Sequence, residues 1–242
     1  MPEFRYGNTL IEYTLEFKHD AKDIIISVDW MDGVRVIAPP SVDDIKLQEV
    51  LQKKSPWLMS KWFDFDEIDL PPSPKEYVSG EKFLYLGRAY RLKVQKEAKE
   101  SRTSLLFQKG RFIATVPTNT AQGEVSEQLR SLFINWYVLH GQAKLHERLK
   151  IYVPKMGVSP SKLLLKDQNM RWGSCTSDQS IYINWRIMMA PMKVIDYVLV
   201  HEMGHLRYPN HSSDFWQFVR SILPDYDERK EWLRIHGPLL TL

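Results

Sequence analysis

The sequence contains one cysteine, Cys175, among its 242 residues. A single cysteine cannot form an intramolecular disulfide, so we expect a reducing compartment. No run of residues approaches the roughly 20 apolar positions that a membrane helix needs. The first residues also lack the basic segment and the continuous apolar segment of a secretory signal peptide. These absences predict a cytoplasmic protein with no membrane partner.

The sequence also lacks a strong excess of either charge. Its 33 lysine and arginine residues are balanced by 30 aspartate and glutamate residues, so the formal net charge is +3. Basic and acidic residues alternate along the chain, whereas a dedicated nucleic-acid binder usually concentrates basic residues on one face. The charge therefore argues against nucleic acid as a partner, although it does not exclude a local basic patch.

The first third of the chain has the pattern of strands followed by a helix. Polar and apolar residues alternate through residues 4–38, and Asp32 with Gly33 indicates a hairpin turn between two strand-like runs. A helical pattern then begins, for which Ser41 is a suitable N-terminal cap. The segment 66–76 holds three prolines and four acidic residues, which is typical of a linker or an exposed loop.

The remaining sequence first repeats this organisation and then departs from it. Strand-like runs recur after the linker and lead into a second, longer helical pattern, which indicates a repeated strand–strand–helix unit. The last third combines two strand-like runs with three helical ones. We therefore predict an α+β fold. The predicted parts are an N-terminal β-hairpin plus helix (1–65), a linker or loop (66–76), a second strand–strand–helix unit (77–150) and a C-terminal core (151–242).

The segment HEMGH at 201–205 is the clearest chemical signal in the sequence. Residues four apart lie on the same face of a helix, so His201 and His205 can bind one zinc ion together. Glu202 lies about 100° further around the helix, where its carboxylate can reach a water molecule bound to the metal. The pattern therefore supplies two zinc ligands and a general base, as in the H-E-x-x-H motif of metallopeptidases.

A catalytic zinc site has three protein ligands and an open position, and His211 is the natural third ligand. Pro209 and Asn210 are expected to end the helix and turn the chain, so that His211 returns to the metal. The spacing of the three histidines matches that of the metzincins. Metzincins carry glycine at the turn where this chain has Tyr208, so the spacing carries over and membership of that clan does not.

Other residues offer alternatives around this site. A carboxylate of the last predicted helix, Glu228 or Glu231, is a second candidate for the third ligand, because some zinc sites combine two histidines with a distant glutamate. Cys175 could be a thiolate ligand or a switch that caps the zinc, although a lone cysteine is more often a small buried apolar residue. Trp136 and Trp216 fall at helix-compatible positions, which favours core packing over ligand stacking.

Two further features bear on how a substrate would be bound. A tetrahedral intermediate needs a positive or hydrogen-bonding group for its oxyanion. The sequence does not choose between four candidates, which are Arg171, Tyr208, Arg234 and His236. The run IYINWRI at 181–187 is either an edge strand that binds a peptide by strand addition or an ordinary core strand.

Three segments resemble the YgjP-like metallopeptidase family, which is related to the SprT-like and WLM zinc proteases. They are RWGSCTSDQSIYINWRI, IDYVLVHEMGHLRYPNHSSDFW and PDYDERKEWL. The resemblance implies a zincin-like catalytic core, here at 151–242, with an N-terminal β-hairpin/helix-rich region. It also implies zinc ligands at His201, His205 and His211, with Glu202 as the catalytic base.

The resemblance and the motif together predict a zinc-dependent metallopeptidase. In this reading, a metal-activated water attacks a peptide carbonyl, with Glu202 as general base. The alternative is a metal-dependent nucleoside triphosphate (UTP) pyrophosphatase, an activity assigned to a bacterial relative. The sequence shows no glycine-rich phosphate-binding loop, which counts against that alternative. A third hypothesis is an N-terminal repeat that binds DNA, and the near-neutral charge counts against it.

Overall fold

A computed structural model of the chain describes residues 2–7, 9–19, 21, 23–29, 33–63, 74–98, 101–168 and 171–242. Its combination of helices with small sheets confirms the predicted α+β class. Within the described residues, no helix has both the length and the apolar composition that a membrane crossing requires.

The described residues form the following strands and helices. The strands are β1 (Glu3–Tyr6), β2 (Thr9–Phe17), β3 (Ile25–Asp29), β4 (Gly33–Ala38), β5 (Lys82–Tyr85), β6 (Arg88–Glu97), β7 (Ser104–Gln108), β8 (Arg111–Pro117), β9 (Lys162–Lys166), β10 (Gly173–Cys175) and β11 (Ser180–Asn184). The helices are α1 (Asp44–Phe63), α2 (Gln122–Met156), α3 (Met192–Gly204), α4 (Ser213–Ile222) and α5 (Tyr226–His236), with short 3-10 helices at Trp185–Met189 and Gly237–Leu239.

The chain divides into two compact units. One consists of Met1–Ile68 with Asp167–Ser174, and the other consists of Asp69–Lys166 with Cys175–Leu242. The four-part division predicted from the sequence stays a prediction. The predicted linker at 66–76 lies mostly outside the described residues.

The first unit is a four-stranded sheet packed against α1. Its strand order is β1-β2-β4-β3, with β2 and β4 parallel and the outer pairs antiparallel. The antiparallel β3–β4 pair joins Asp29 to Gly33, while Asp32 of the predicted turn lies outside the described residues. Helix α1 begins later than Ser41 would place it, because the Asp43 carboxylate accepts a hydrogen bond from the backbone N–H of Lys46 at 2.7 Å.

The second unit opens with a sheet of the same design. Its strand order is β5-β6-β8-β7, again with a parallel central pair and antiparallel outer pairs, and it leads into the long helix α2. The repeated element is therefore four strands and a helix, which is larger than the strand–strand–helix unit expected from the sequence. Aromatic rings fill the space between this sheet and α2, and Phe83 stacks on Phe133 with centroids 4.0 Å apart.

Backbone hydrogen bonds fix the segment that enters α3. The N–H groups of Leu86 and Gly87, in the turn between β5 and β6, donate to the carbonyls of Met188 (2.8 Å) and Met189 (3.1 Å). Gly87 has a φ of +78°, and a Cβ there would lie 2.9 Å from the Cα of Pro191. Only glycine permits this approach, so the turn holds the chain in place directly before α3 begins.

Strand β11 is a core strand and not a free edge. It is the middle strand of a three-stranded sheet and pairs in parallel with β9. Ile181 and Ile183 are buried, as is Trp185 immediately after the strand. The structure therefore favours the ordinary core interpretation of the run at 181–187 over strand addition by a peptide.

An ion pair ties α3 to α2. The guanidinium of Arg148 binds the carboxylate of Asp196 through two hydrogen bonds, Nε to Oδ1 at 2.6 Å and Nη2 to Oδ2 at 2.7 Å. The Asp196 side chain is 7% exposed and that of Arg148 is 24% exposed. A bidentate pair of this kind has a defined geometry, so it fixes the rotation of α3 relative to α2.

We expect Asp196→Ala to lower the free energy of unfolding by about 2–3 kcal/mol. Breaking a fully buried pair costs about 3–5 kcal/mol, and the partial exposure of Arg148 reduces that penalty. Urea denaturation followed by circular dichroism measures the change. Glu147→Ala, which removes an exposed partner of Lys144 on α2, is the control and should cost less than about 1 kcal/mol. Equal losses for the two variants would contradict a stabilising role for the Arg148–Asp196 pair.

Candidate metal centre

The helix that carries the HEMGH segment is buried through its C-terminal half and ends at Gly204. The sequence predicted that it would continue to Tyr208. Instead, the N–H of His205 donates to the carbonyl of Glu202, and the N–H of Tyr208 donates to that of Gly204 at 2.9 Å. Glycine is a poor helix former and Pro209 cannot continue a helix, so the chain turns away early. These turns bring it towards His211.

The three predicted histidines meet at one point. The Nε2 atom of His201 lies 3.3 Å from Nε2 of His205 and 3.0 Å from Nε2 of His211. Among the described residues, these three side chains form a group that could hold a metal ion, with their ligand atoms all within 4.8 Å of one another. The group contains His211 and neither Glu228 nor Glu231.

The three imidazoles lie close enough together to share one metal ion. Two of the three Nε2–Nε2 separations are 3.3 Å and 3.0 Å, which suits nitrogens bound at about 2.0–2.1 Å from a common metal. Imidazole is a ligand of several transition metals, so the residues present fit a metal site.

A backbone contact selects the tautomer of His205. Its Nδ1 atom lies 3.1 Å from the carbonyl oxygen of Tyr208. Because a carbonyl oxygen can only accept, this contact requires a proton on Nδ1. The lone pair of the neutral ring is then on Nε2, the atom that faces the other two histidines, as zinc ligation requires.

The site is closed on one side and open on the other. His201 is 1% exposed and Glu202 is fully buried, whereas His205 and His211 are half-buried. The two residues of α3 are thus more buried than the two histidines that follow the helix.

Two consecutive aromatic residues of α4 contact the histidines. The ring of Phe215 stacks on His205, with centroids 4.6 Å apart and planes at 23°. The ring of Trp216 stacks on His211, with centroids 5.4 Å apart and planes at 20°. The sequence pattern favoured core packing for Trp216 and did not indicate this contact. The placement of the aromatic pair just after His211 in the sequence was the signal that could have revealed it.

Gly204 makes room for one of these rings. A Cβ at this position would lie 2.8 Å from Cε2 of Phe215, which is closer than packed atoms approach. The absence of a side chain thus lets Phe215 lie against α3, where it reaches His205. The hydroxyl of Ser212 accepts a hydrogen bond from the N–H of Phe215 at 3.4 Å and caps α4.

Cys175 lies outside the histidine group. Burial raises the pKa of its thiol to about 12, and the negative charges of Glu202 and Asp178 contribute to the rise. Among the described residues, the group that could hold a metal does not include Cys175. The structure therefore favours the reading of Cys175 as a small, partly buried apolar residue over a metal ligand.

The four oxyanion candidates lie in different surroundings. The rings of Tyr208 and Phe218 pack edge to face, with centroids 5.6 Å apart. Arg234 forms an ion pair with Glu231 at 2.7 Å, and His236 stacks on Trp232. The fourth candidate, Arg171, is buried in the first unit. None of these contacts selects an oxyanion-stabilising residue.

The fold and the three-histidine site are those expected of a metal-dependent peptidase. The sequence matches the YgjP-like metallopeptidase domain over residues 22–236, which is most of its length. The chain therefore belongs to the YgjP-like metallopeptidase family, as its motifs predicted. Membership implies a hydrolase that uses a metal cofactor and acts on peptides or proteins.

Two further comparisons add little to this assignment. A search among curated proteins found no match. Among solved structures, the chain is similar to the metallopeptidase zymogen of Pyrococcus abyssi abylysin, at 21% identity and a TM-score of 0.35. That likeness covers 39% of this chain and 93% of the other chain.

Proposed function

We propose that this protein is a zinc-dependent metallopeptidase of the zincin type, acting in the cytoplasm. His201, His205 and His211 hold the zinc ion, and Glu202 is the general base. The observation that supports this assignment best is the convergence of three Nε2 atoms, at separations of 3.0 Å and 3.3 Å, beside a buried glutamate. Zinc suits a site made of three imidazoles.

A bound zinc ion would supply a water of lowered pKa and would polarise the carbonyl of a peptide. The protein residues have separate roles in the proposed reaction. His205 is fixed in the tautomer that binds metal by the carbonyl of Tyr208. Glu202 accepts a proton from the attacking water and returns it to the leaving amine. Its burial keeps bulk water away from this carboxylate.

A peptide substrate is preferred over a nucleoside triphosphate for this site. The family is described as a metallopeptidase domain, and the side chains that meet at the site are those of three histidines. A triphosphate would need lysine or arginine side chains gathered at the metal, and the sequence shows no glycine-rich phosphate-binding loop.

The test uses the purified full chain. We expect about one zinc ion per chain by elemental analysis. We also expect cleavage of unfolded casein that stops with a chelator and returns when zinc is added. A panel of nucleoside triphosphates, followed by release of pyrophosphate, is assayed in parallel. Zinc-dependent pyrophosphate release without peptide cleavage would overturn the assignment and favour the pyrophosphatase. A chain that binds no zinc would overturn both.

A further inference from the structure

The rings of Phe215 and Trp216 on α4 are oriented relative to each other much as the two histidine rings that they contact are. Phe215 and Trp216 are nearly perpendicular, with an interplanar angle of 88°. The imidazoles of His205 and His211 are also steeply inclined to each other, at 71°. Each imidazole is nearly parallel to its own aromatic partner, at 23° for His205 and 20° for His211.

Ring orientation matters because the lone pair of an imidazole Nε2 lies in the plane of the ring. A ring that rotates about its Cβ–Cγ bond sweeps this lone pair away from the metal position. The torsion concerned is broad for histidine, so the side chain alone does not hold the ring in one orientation. A stacked aromatic neighbour restricts the rotation, because rotating the imidazole would force the two faces apart.

An aromatic ring lies against each of these two imidazoles. His205 has a backbone hydrogen bond through Nδ1 in addition to the Phe215 ring. His211 stacks on Trp216, and Trp216 stacks in turn on the buried ring of Tyr226, with centroids 5.3 Å apart and planes at 18°. The three rings His211, Trp216 and Tyr226 thus form a column that joins the metal-site loop to α4 and α5. The ammonium of Lys230 lies 4.8 Å from the centre of the Trp216 ring.

We infer that Trp216 is a positioning residue for the metal, and that it aims the Nε2 lone pair of His211 by stacking on the imidazole. This inference rests on the proposed zinc site. In many zinc sites, hydrogen-bonded carboxylates or carbonyls orient the histidine ligands. Here a flat aromatic face, held from behind by Tyr226, performs that function for His211. Phe215 performs it together with the Tyr208 carbonyl for His205.

The chain offers a matched control for this role. Trp232 stacks on His236 at 4.4 Å and 7°, which is the same kind of contact outside the histidine group. Trp216→Leu removes the flat face while keeping an apolar side chain, and Trp216→Phe keeps a flat face. Trp232→Leu removes a stacked tryptophan without touching the metal site. Zinc affinity is measured on each metal-free protein by competition with a fluorescent chelator, and the cobalt(II) form is examined by visible absorption.

We expect Trp216→Leu to raise the zinc dissociation constant by about 10–100-fold, the usual effect of losing an outer support of a ligand. Its cobalt(II) spectrum should also change in intensity or position, because the coordination geometry is less regular. Trp216→Phe should bind within about threefold of wild type, and Trp232→Leu should match wild type. Circular dichroism of the metal-free variants checks that each is folded.

Three results would overturn the inference. One is a Trp216→Leu protein with wild-type zinc affinity and cobalt spectrum. The second is a Trp232→Leu protein that loses affinity to the same extent, since the effect would then be general destabilisation. The third is a Trp216→Phe protein that binds as poorly as Trp216→Leu. If the wild-type chain itself bound no zinc, the proposed function would fail first, so the two failures are distinguishable.

Discussion

Replacing Glu202 with glutamine is expected to lower peptide hydrolysis by about 10²–10⁴-fold while leaving the zinc content unchanged. The amide has nearly the volume of the carboxylate, so the substitution fits the same buried position. It cannot accept a proton from the attacking water, however. Glu202 is not a member of the histidine group, and its loss removes no candidate ligand.

The measurement is the rate of casein cleavage at saturating zinc, with elemental analysis of the same samples. Glu228→Gln is the matched control, because Glu228 is an exposed carboxylate of α5 in the same unit. It should retain wild-type activity. A Glu202→Gln enzyme that hydrolyses peptide at the wild-type rate would show that another group is the base. A variant that loses its zinc would show that Glu202 holds the metal.

The elements of the site that could be predicted from sequence are those set by local geometry. His201 and His205 are four residues apart, and helix periodicity places them side by side whatever the rest of the fold does. The approach of His211 to the other two histidines requires a turn of the chain, which Pro209 indicated. The α+β class followed from the alternation of strand-like and helix-like patterns in the same way.

What could not be predicted depends on contacts between distant segments. The parallel pairing of β2 with β4, and of β6 with β8, joins strands that are not consecutive, and local patterns indicate only hairpins. Trp216 was assigned to the core because of its spacing along a helix. That spacing is the same whether the ring contacts another core residue or a metal ligand. The contact between Gly204 and Phe215 likewise joins two separate helices, and no local pattern indicates that the missing side chain accommodates a ring from α4.

These contacts explain how the segments that carry the three histidines are held in place. The bidentate Arg148–Asp196 pair and the Gly87 turn hold α3 and the chain before it, so the proposed ligand His201 lies on an anchored helix and the proposed ligand His205 follows directly after it. The proposed ligand His211 lies in a connecting loop and stacks on Trp216 of α4, which stacks in turn on Tyr226 of α5. A site built from one rigid and one supported element can be precise only if both supports are intact.

His211→Ala is expected to weaken zinc binding by more than about 100-fold, because losing even an outer support of a ligand costs about 10–100-fold. Peptide hydrolysis at ordinary zinc concentrations should fall with it. The loop from 205 to 212 does not lie in the interior of a helix, so the metal-free variant should unfold at a temperature close to that of the metal-free wild type.

The same experiment decides between the candidates for the third ligand. Glu231 is engaged with Arg234, and neither Glu231 nor Glu228 belongs to the histidine group, so Glu231→Gln and Glu228→Gln should bind zinc as wild type does. Chelator competition on the three variants gives the dissociation constants. If His211→Ala kept its zinc while Glu231→Gln or Glu228→Gln lost it, the third ligand would be a carboxylate of α5. The structure predicts the opposite order, since the Nε2 atom of His211 already lies 3.0 Å from that of His201.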